Sequence, residues 1–114
     1  MEILPLLNIN NMKDYQSCID ACVACVVACE KCFASCLETE GRIECVKLCR
    51  DCADICALCA SLCARGSQFA DAICALCVKC CEACAAECTK HAEHSSDCKA
   101  CAEACKKCAE ACTK

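Results

Sequence analysis

Residues 18–36 read CIDACVACVVACEKCFASC, and residues 45–63 read CVKLCRDCADICALCASLC. In both stretches cysteine recurs at alternating steps of four and three residues, a period of about 3.5. That period places the cysteines along one face of an α-helix, in a row that faces partner helices. Neither stretch contains glycine or proline, and good helix formers such as alanine fill many of the gaps. Each stretch is therefore predicted to be a helix with a seam, the row of cysteines on its inner face.

The second half of the chain repeats this pattern. Its two seams are Cys74, Cys77, Cys81, Cys84 and Cys88, and then Cys98, Cys101, Cys105, Cys108 and Cys112. Gly41 and Gly66 follow the first two runs, where a left-handed residue commonly ends a helix. Ser67 is placed to cap the third helix, and Ser95 or Ser96 the fourth. We predict helices at about 11–38, 42–65, 68–91 and 96–113.

The connections between these helices are short, so each helix is expected to run antiparallel to the one before it. The predicted fold is all-α: an antiparallel, up-down-up-down four-helix bundle with a cysteine-lined core. Residues 1–114 form one domain in this interpretation, and residues 1–10, which contain Pro5, form an N-terminal arm or short cap.

Stacking the antiparallel seams predicts five layers of four sulfurs each. From one end of the bundle to the other the layers are Cys36, Cys45, Cys88 and Cys98; Cys32, Cys49, Cys84 and Cys101; Cys29, Cys52, Cys81 and Cys105; Cys25, Cys56, Cys77 and Cys108; and Cys22, Cys59, Cys74 and Cys112, with Cys18 and Cys63 beyond the last layer. Cys80 lies beside the third seam, where an auxiliary ligand and an ordinary packing residue are both open interpretations.

Cysteine makes up 23 of the 114 residues, and aromatic residues only 3%. A core built for packing alone would favour leucine, whose larger side chain buries more apolar area. Disulfides are the second alternative, but neighbours three or four apart on a helix do not generally meet disulfide geometry, and the cysteine count is odd. The start, MEILPLL, lacks the basic region of a secretory signal. We therefore expect a cytosolic protein with reduced thiols.

Metal binding is the third interpretation. Side chains three or four apart on a helix have Cβ atoms about 5–6 Å apart, and a linear sulfur–metal–sulfur unit spans about 4.5 Å if each bond is near the 2.3 Å of zinc–thiolate. Four thiolates around Zn²⁺ leave two buried negative charges, whereas one monovalent ion per thiolate leaves none. No lysine or arginine lies on the seams to compensate such charge. Because soft thiolates also favour Cu(I), we predict on the order of twenty Cu(I) ions per chain.

Two histidines extend the seams at one end of the bundle. His91 comes three residues after Cys88, and His94 four residues before Cys98. They are either ligands at a mouth where ions enter and leave, or solvated loop residues. Glu38, Glu40 and Glu44 are expected to form a solvated rim at the same end.

The opposite end gathers Met12, Tyr15, Leu62 and Phe69 and is predicted to be an apolar plug. Met12 is a gap-filling residue or a Cu(I) ligand. A second set of apolar residues exceeds what one bundle needs, so part of it is expected to pack between helices and the rest to support self-association. This set is Ile19, Val23, Val26, Phe33, Leu37, Ile55, Leu58, Leu62, Phe69, Ile73 and Leu76.

Other function classes have little support in the sequence. The net charge is −4 with no basic run, so no nucleic acid is expected to bind. No apolar stretch reaches the length of about 18 residues that a membrane span needs. No serine, histidine and acid arrangement for catalysis is apparent, so the protein is not expected to be an enzyme. Delivery of one or two ions by a chaperone and general sequestration of zinc or cadmium remain open.

The runs Cys18–Cys36 and Cys45–Cys63, with the two that follow, make the chain resemble the bacterial copper storage proteins over about residues 12–114. The resemblance implies a bundle that holds many Cu(I) ions on cysteine thiolates. It assigns the 23 cysteines as ligands, with His91 and His94 as possible end ligands. It also implies the cytosolic branch of the family, whose members form tetramers.

Overall fold

The computed structural model describes residues 14–113, which contain four helices and no strand. The helices are α1 (Gln16–Leu37), α2 (Ile43–Ala64), α3 (Ala70–Thr89) and α4 (Ser96–Thr113). They form a square in which α1 and α3 each contact both α2 and α4. The predicted all-α four-helix bundle is confirmed.

Local side-chain hydrogen bonds decide where the helices begin. The main-chain N–H of Gln16 donates to Asp14 Oδ1 at 2.9 Å, and α1 starts there, later than the predicted residue 11. Ser67 Oγ accepts the N–H of Phe69 at 3.0 Å in a turn that delays α3 to Ala70. Such bonds offer the backbone an alternative to the helix. Residues 11–13, the predicted arm at 1–10 and Met12 lie outside the described residues.

Both predicted glycine stops adopt the left-handed backbone conformation. Gly41 has φ of 82° and Gly66 has φ of 64°. At the start of α4, Ser95 Oγ accepts the N–H of Cys98 at 3.1 Å, so Ser95 rather than Ser96 provides the cap. The short connections lie at two different ends of the bundle, which we call the histidine end and the opposite end. The histidine end carries connections 38–42 and 90–95, and the opposite end carries connection 65–69.

Sulfur dominates the interior of the bundle. Of the 23 cysteines, 22 are buried and Cys80 is half-buried. The other buried hydrophobic residues are Ala53, Ala70, Ile73, Ala85, Ala102 and Ala109. No polar or charged residue is buried among residues 14–113. Small alanines between the helices let the backbones approach, and the seams then meet along one central axis.

The second set of apolar residues divides as the sequence suggests. Ile19, Val26, Phe33, Ile55, Leu62 and Ile73 are buried or half-buried against the core. The exposed members include Leu37 at 59%, Phe69 at 60% and Val23 at 54%. Val27 and Ile43, which the sequence did not single out, are also exposed. The surface of one chain therefore keeps a substantial apolar area in water.

Outside the core, an ionic contact ties α1 to α2. Arg50 donates to both carboxylate oxygens of Glu30 at 2.9–3.0 Å and to Asp54 at 2.9 Å. Its guanidinium also lies 5.2 Å from the centre of the Phe33 ring. A two-point Arg–carboxylate pair fixes orientation better than a single contact does. None of the helices in the described part of the chain is long and apolar enough to cross a membrane.

Candidate metal centre

A continuous column of sulfur atoms runs along the axis of the bundle. Neighbouring Sγ atoms lie from 3.5 Å apart, as for Cys36 and Cys45, to 4.0 Å apart, as for Cys101 and Cys105. Contacts cross the square as well as following its sides. Cys52 on α2 meets Cys105 on α4 at 3.9 Å, although the backbones of these helices are not neighbours. Each of the 22 buried sulfurs therefore has a partner on at least one other helix, which is what a bridging ligand needs.

The predicted register of α2, α3 and α4 agrees with the contacts. Cys49 lies 3.9 Å from both Cys84 and Cys101, the partners predicted for its layer. Two layers further along the bundle, Cys56 lies 3.7 Å from Cys77 and 4.0 Å from Cys108, again the predicted partners. The antiparallel alternation of these three helices was enough to set their alignment.

The predicted register of α1 is wrong by part of a layer. Cys25 contacts Cys52 and Cys105, which belong to the layer above the predicted one. Cys22 likewise contacts Cys77 and Cys108 at 3.9 and 3.6 Å. The cysteines of α1 are therefore shifted toward the histidine end relative to those of the other three helices. Its sulfurs fill gaps between the layers of the other helices.

Several groups of four buried sulfurs have the separations needed to hold metal ions. In each group the four Sγ atoms lie within 4.8 Å of one another. One is Cys22, Cys56, Cys77 and Cys108, and another is Cys25, Cys29, Cys52 and Cys105. Successive groups share members, since Cys25 also belongs with Cys52, Cys56 and Cys81. The column is thus a series of overlapping four-sulfur groups and not a set of isolated ones.

One pair of cysteines contradicts the expectation that all thiols are reduced. Cys18 and Cys112 form a disulfide, with Cα atoms 4.9 Å apart. The antiparallel packing of α1 against α4 brings the first cysteine of one helix and the last of the other to the same end. A cross-helix pair at that Cα separation satisfies disulfide geometry, which neighbours on one helix generally do not. The other 21 cysteines are free thiols.

Arg42 is a cation at the column that was not predicted from the sequence. Its Nη1 lies 3.8 Å from Cys36 Sγ and 3.6 Å from Cys98 Sγ and donates to both. The expectation that no cation would meet the seams is therefore wrong. A signal was present: Arg42 comes three residues before Cys45 and so continues the second seam by one step, as His91 continues the third.

The two histidines lie at the predicted end but in different surroundings. His91 is half-buried, and its Nε2 lies 3.0 Å from Glu87 Oε2. That contact is the first cause of the lowered pKa of Glu87. His94 is exposed, and its main-chain N–H donates to the carbonyl of His91 in a turn. Glu38, Glu40 and Glu44 are exposed as expected for a rim.

Cys80 lies beside the column. It is half-buried, whereas the other 22 cysteines are buried. Its pKa is raised, first by hydrogen bonding with Cys52 and second by burial. Cys80 therefore packs against the core from outside the seam.

The opposite end of the bundle is less apolar than predicted. Tyr15 and Leu62 are half-buried there, but Phe69 is 60% exposed and covers little. The hydroxyl of Tyr15 donates to Asp71 Oδ1 at 2.6 Å, and this hydrogen bond is the first cause that raises the pKa of Tyr15 to about 12. Of the predicted plug, Tyr15 and Leu62 pack against the core, and the prediction is wrong for Phe69. Tyr15 also makes a polar contact with the start of α3, which the prediction of an apolar end did not include.

Burial raises the pKa of three thiols near the two ends of the column, those of Cys36, Cys45 and Cys63. It is the first cause of the raised pKa of Cys36 and of Cys45. The pKa of Cys63 rises from its ordinary value of 9.0 to about 11, through burial and then hydrogen bonding with Cys74. Because thiolates bind metals and thiols do not, an ion entering the column must release protons.

A family model described as "Copper storage protein" matches residues 11–114. No curated protein matches the chain. Among solved structures, the Cu(I)-bound copper storage protein BsCsp3 is 46% identical with a TM-score of 0.81, covering 88% of this chain and 96% of that one. The metal-free copper storage protein 3 from Bacillus subtilis is 47% identical with a TM-score of 0.79, covering 87% of this chain and 95% of that one.

A third similar structure is a cytosolic copper storage protein from Streptomyces lividans with five coppers. It is 33% identical with a TM-score of 0.83, covering 87% of this chain and 88% of that chain. The similarity extends over nearly the whole bundle in each case.

Proposed function

Since the chain belongs to the copper storage protein family, we propose that its sulfur column holds about twenty Cu(I) ions per chain. The observation that carries this capacity is the unbroken run of sulfur contacts from Cys36–Cys45 at one end to Cys63–Cys74 at the other, both 3.5 Å. If each ion takes two sulfurs and each sulfur bridges two ions, capacity approaches one ion per cysteine. Such a large and buried set of ligands suits storage of many ions better than delivery of one.

The dimensions of the column suit a small ion with two or three sulfur ligands. A linear sulfur–metal–sulfur unit spans about 4.5 Å if the zinc–thiolate bond length applies, and neighbouring sulfurs lie 3.5–4.0 Å apart. Bent two-coordinate or three-coordinate ions, or a small outward shift of side chains, accommodate the difference. The helices need not separate for copper to enter the core.

Charge favours copper over zinc and cadmium in this core. The described core contains no buried charged residue, and the cation that meets the column does so only at one end. Divalent ions held by four thiolates would leave negative charge along a column with nothing beside it to offset the cost. One Cu(I) for each proton released leaves the buried charge unchanged. General sequestration of divalent ions is therefore the weaker alternative.

The ligands that we propose are the seam cysteines. Cys80 would be an auxiliary ligand for an ion held by the column, and His91 and His94 would be ligands at the histidine end. Cys18 and Cys112 become ligands when their disulfide is reduced. The exposed ring of His94 is free to turn toward an arriving ion, and His91 would first have to leave Glu87. Exchangeable imidazoles at an end suit transfer of ions between solvent and thiolates.

We propose a cytosolic location and no catalytic activity. The support for the first is the Streptomyces protein, which is described as cytosolic, together with a column of 21 free thiols that requires a reducing environment. The support for the second is that the family is one of storage proteins.

An anaerobic Cu(I) titration followed by native mass spectrometry tests the storage proposal. The reduced protein is expected to take up about twenty ions per chain. Saturation at one or two ions would instead indicate a chaperone. Tight zinc binding near one ion per four thiols, in preference to Cu(I), would indicate general sequestration, and either result would contradict storage.

We also propose that the chain forms a homo-oligomer, a tetramer by its resemblance to the cytosolic branch. Val23 and Val27 lie one turn apart on the outer face of α1 and are 54% and 52% exposed. Burying such a pair on each protomer contributes several kcal/mol at about 1.5–3 kcal/mol per side chain. The double variant Val23→Asp, Val27→Lys, which keeps the net charge, is expected to weaken association at least about tenfold by sedimentation equilibrium. A wild-type protein that stays monomeric at micromolar concentration would contradict the proposal.

A further inference from the structure

Arg42 covers the last sulfurs of the column at the histidine end. It follows Gly41, whose φ of 82° turns the chain sharply before α2 begins at Ile43. From there its Nη1 reaches 3.8 Å from Cys36 Sγ, at the end of α1, and 3.6 Å from Cys98 Sγ, near the start of α4. One guanidinium nitrogen thus bridges two helices that lie on either side of the mouth.

The partners of this guanidinium are unusual for an arginine. Among residues 14–113 no carboxylate lies within ion-pair distance of Arg42, whereas Arg50 pairs with Glu30 and Asp54. The rim residues Glu38, Glu40 and Glu44 are exposed, and Glu44 pairs with Lys47. Arg42 itself is half-buried. Its charge is therefore directed at sulfur and not at the acidic rim around it.

The two sulfurs beneath Arg42 are closed to solvent. Cys36 is 1% exposed and Cys98 is 0% exposed, although both belong to the terminal layer of the column. Their Sγ atoms lie 3.6 Å apart, so they form a pair that one Cu(I) ion would bridge. An ion arriving from this end meets the guanidinium before it meets the pair.

We propose that Arg42 is a gate for Cu(I) at the histidine end: its guanidinium must leave Cys36 and Cys98 before an ion can enter or leave the terminal sulfur layer. This inference rests on the proposed storage function. The gate is set by position and fixed charge, because an arginine side chain keeps its proton throughout the physiological range. The guanidinium repels an incoming cation, and its hydrogen bonds to sulfur must break for the ion to pass.

Removing the gate is expected to speed exchange without changing capacity. Hydrogen bonds that involve a charged group are stronger than those between neutral groups, and a tenfold change in rate corresponds to about 1.4 kcal/mol. We therefore expect Arg42→Ala to release Cu(I) at least about tenfold faster than wild type. Arg42→Lys, whose single ammonium is a compact point charge without the planar fork, should give an intermediate rate.

The measurement is stopped-flow transfer of Cu(I) from fully loaded protein to bathocuproine disulfonate, a coloured and anionic Cu(I) chelator. The reaction is run at about 1 M salt, where the Debye length is about 3 Å, so that attraction between the chelator and the mouth is screened. Arg65→Ala is the matched control. Arg65 precedes Gly66 at the opposite end, is exposed, and loses the same charge when replaced. It is expected to keep the wild-type rate.

Copper per chain at saturation is measured first for each variant. A wild-type value far below about twenty contradicts the storage function itself, whereas normal loading with unchanged release in Arg42→Ala contradicts only the gate. Slower release, or equal acceleration by Arg65→Ala, would also overturn it. A purely structural Arg42 would lower the melting temperature of the metal-free protein and leave the transfer rate unchanged, so melting is recorded beside each rate.

Discussion

Replacing Cys25, Cys29, Cys52 and Cys105 together by alanine is expected to lower the Cu(I) capacity by about four ions out of about twenty. These four buried sulfurs lie within 4.8 Å of one another in the middle of the column. If each cysteine contributes about one ion through bridging, their loss removes that number. It also divides the array into two shorter ones, because no sulfur then joins the neighbouring groups. Native mass spectrometry of anaerobically loaded protein measures the change.

The control for this experiment damages packing without removing sulfur. Ala53 and Ala102 are buried between the helices, and Ala→Gly at both positions costs about 1 kcal/mol each in helix stability. The glycine variant should melt at a lower temperature yet load the full complement of copper. Loss of copper from it as well would show that capacity follows bundle stability and not ligand number. Full loading of the cysteine variant would show that the ions bind outside the column.

Raising the pH from about 9 to about 11 is expected to destabilise the metal-free protein and to have a smaller effect on the copper-loaded protein. The buried thiols of Cys36, Cys45 and Cys63 have raised pKa values in the folded state, about 11 for Cys63. Below the ordinary thiol pKa near 9.0 both states bind these protons, and the full stability is present. Above it the unfolded chain loses protons that the folded chain keeps, so the free energy of unfolding falls as pH rises.

The slope of this loss has an upper limit for each thiol. One such thiol lowers the free energy of unfolding by at most about 1.4 kcal/mol per pH unit, against a total stability of about 5–15 kcal/mol for a typical domain. Copper-bound thiolates have already lost their protons and have none to release. Urea unfolding followed by circular dichroism at several pH values, with and without Cu(I), measures both curves under anaerobic conditions. Parallel curves for the two forms would contradict the explanation.

The parts of the fold that repeat locally could be read from the sequence. The steps of three and four residues fix a helix face, because a helix of 3.6 residues per turn brings those positions together whatever surrounds it. Cysteine occupies nearly every inward-facing position, so the same pattern that predicts the helices also predicts a core made mainly of sulfur. The copper chemistry followed in turn from a core whose side chains are almost all thiols.

The remaining details of the site depend on how separate helices align. The shift of α1 that pairs Cys25 with Cys52 and Cys105 is an axial displacement of one whole helix against the others, which no local pattern records. Cys18 and Cys112 are 94 residues apart, and only antiparallel packing of the first and last helices joins them. The exposure of Phe69 and the polar Tyr15–Asp71 contact likewise depend on the geometry of an end.

The sequence by itself determined four helices, their sulfur-lined faces and the class of ion that such a face binds, because each of these is a property of residue type and local period. Only the tertiary structure decided which sulfurs touch, which pair is oxidised and that Arg42 lies over Cys36 and Cys98. Those outcomes are set by small axial shifts and by connection geometry. A change of a few ångströms there exchanges one set of neighbours for another without altering any helix.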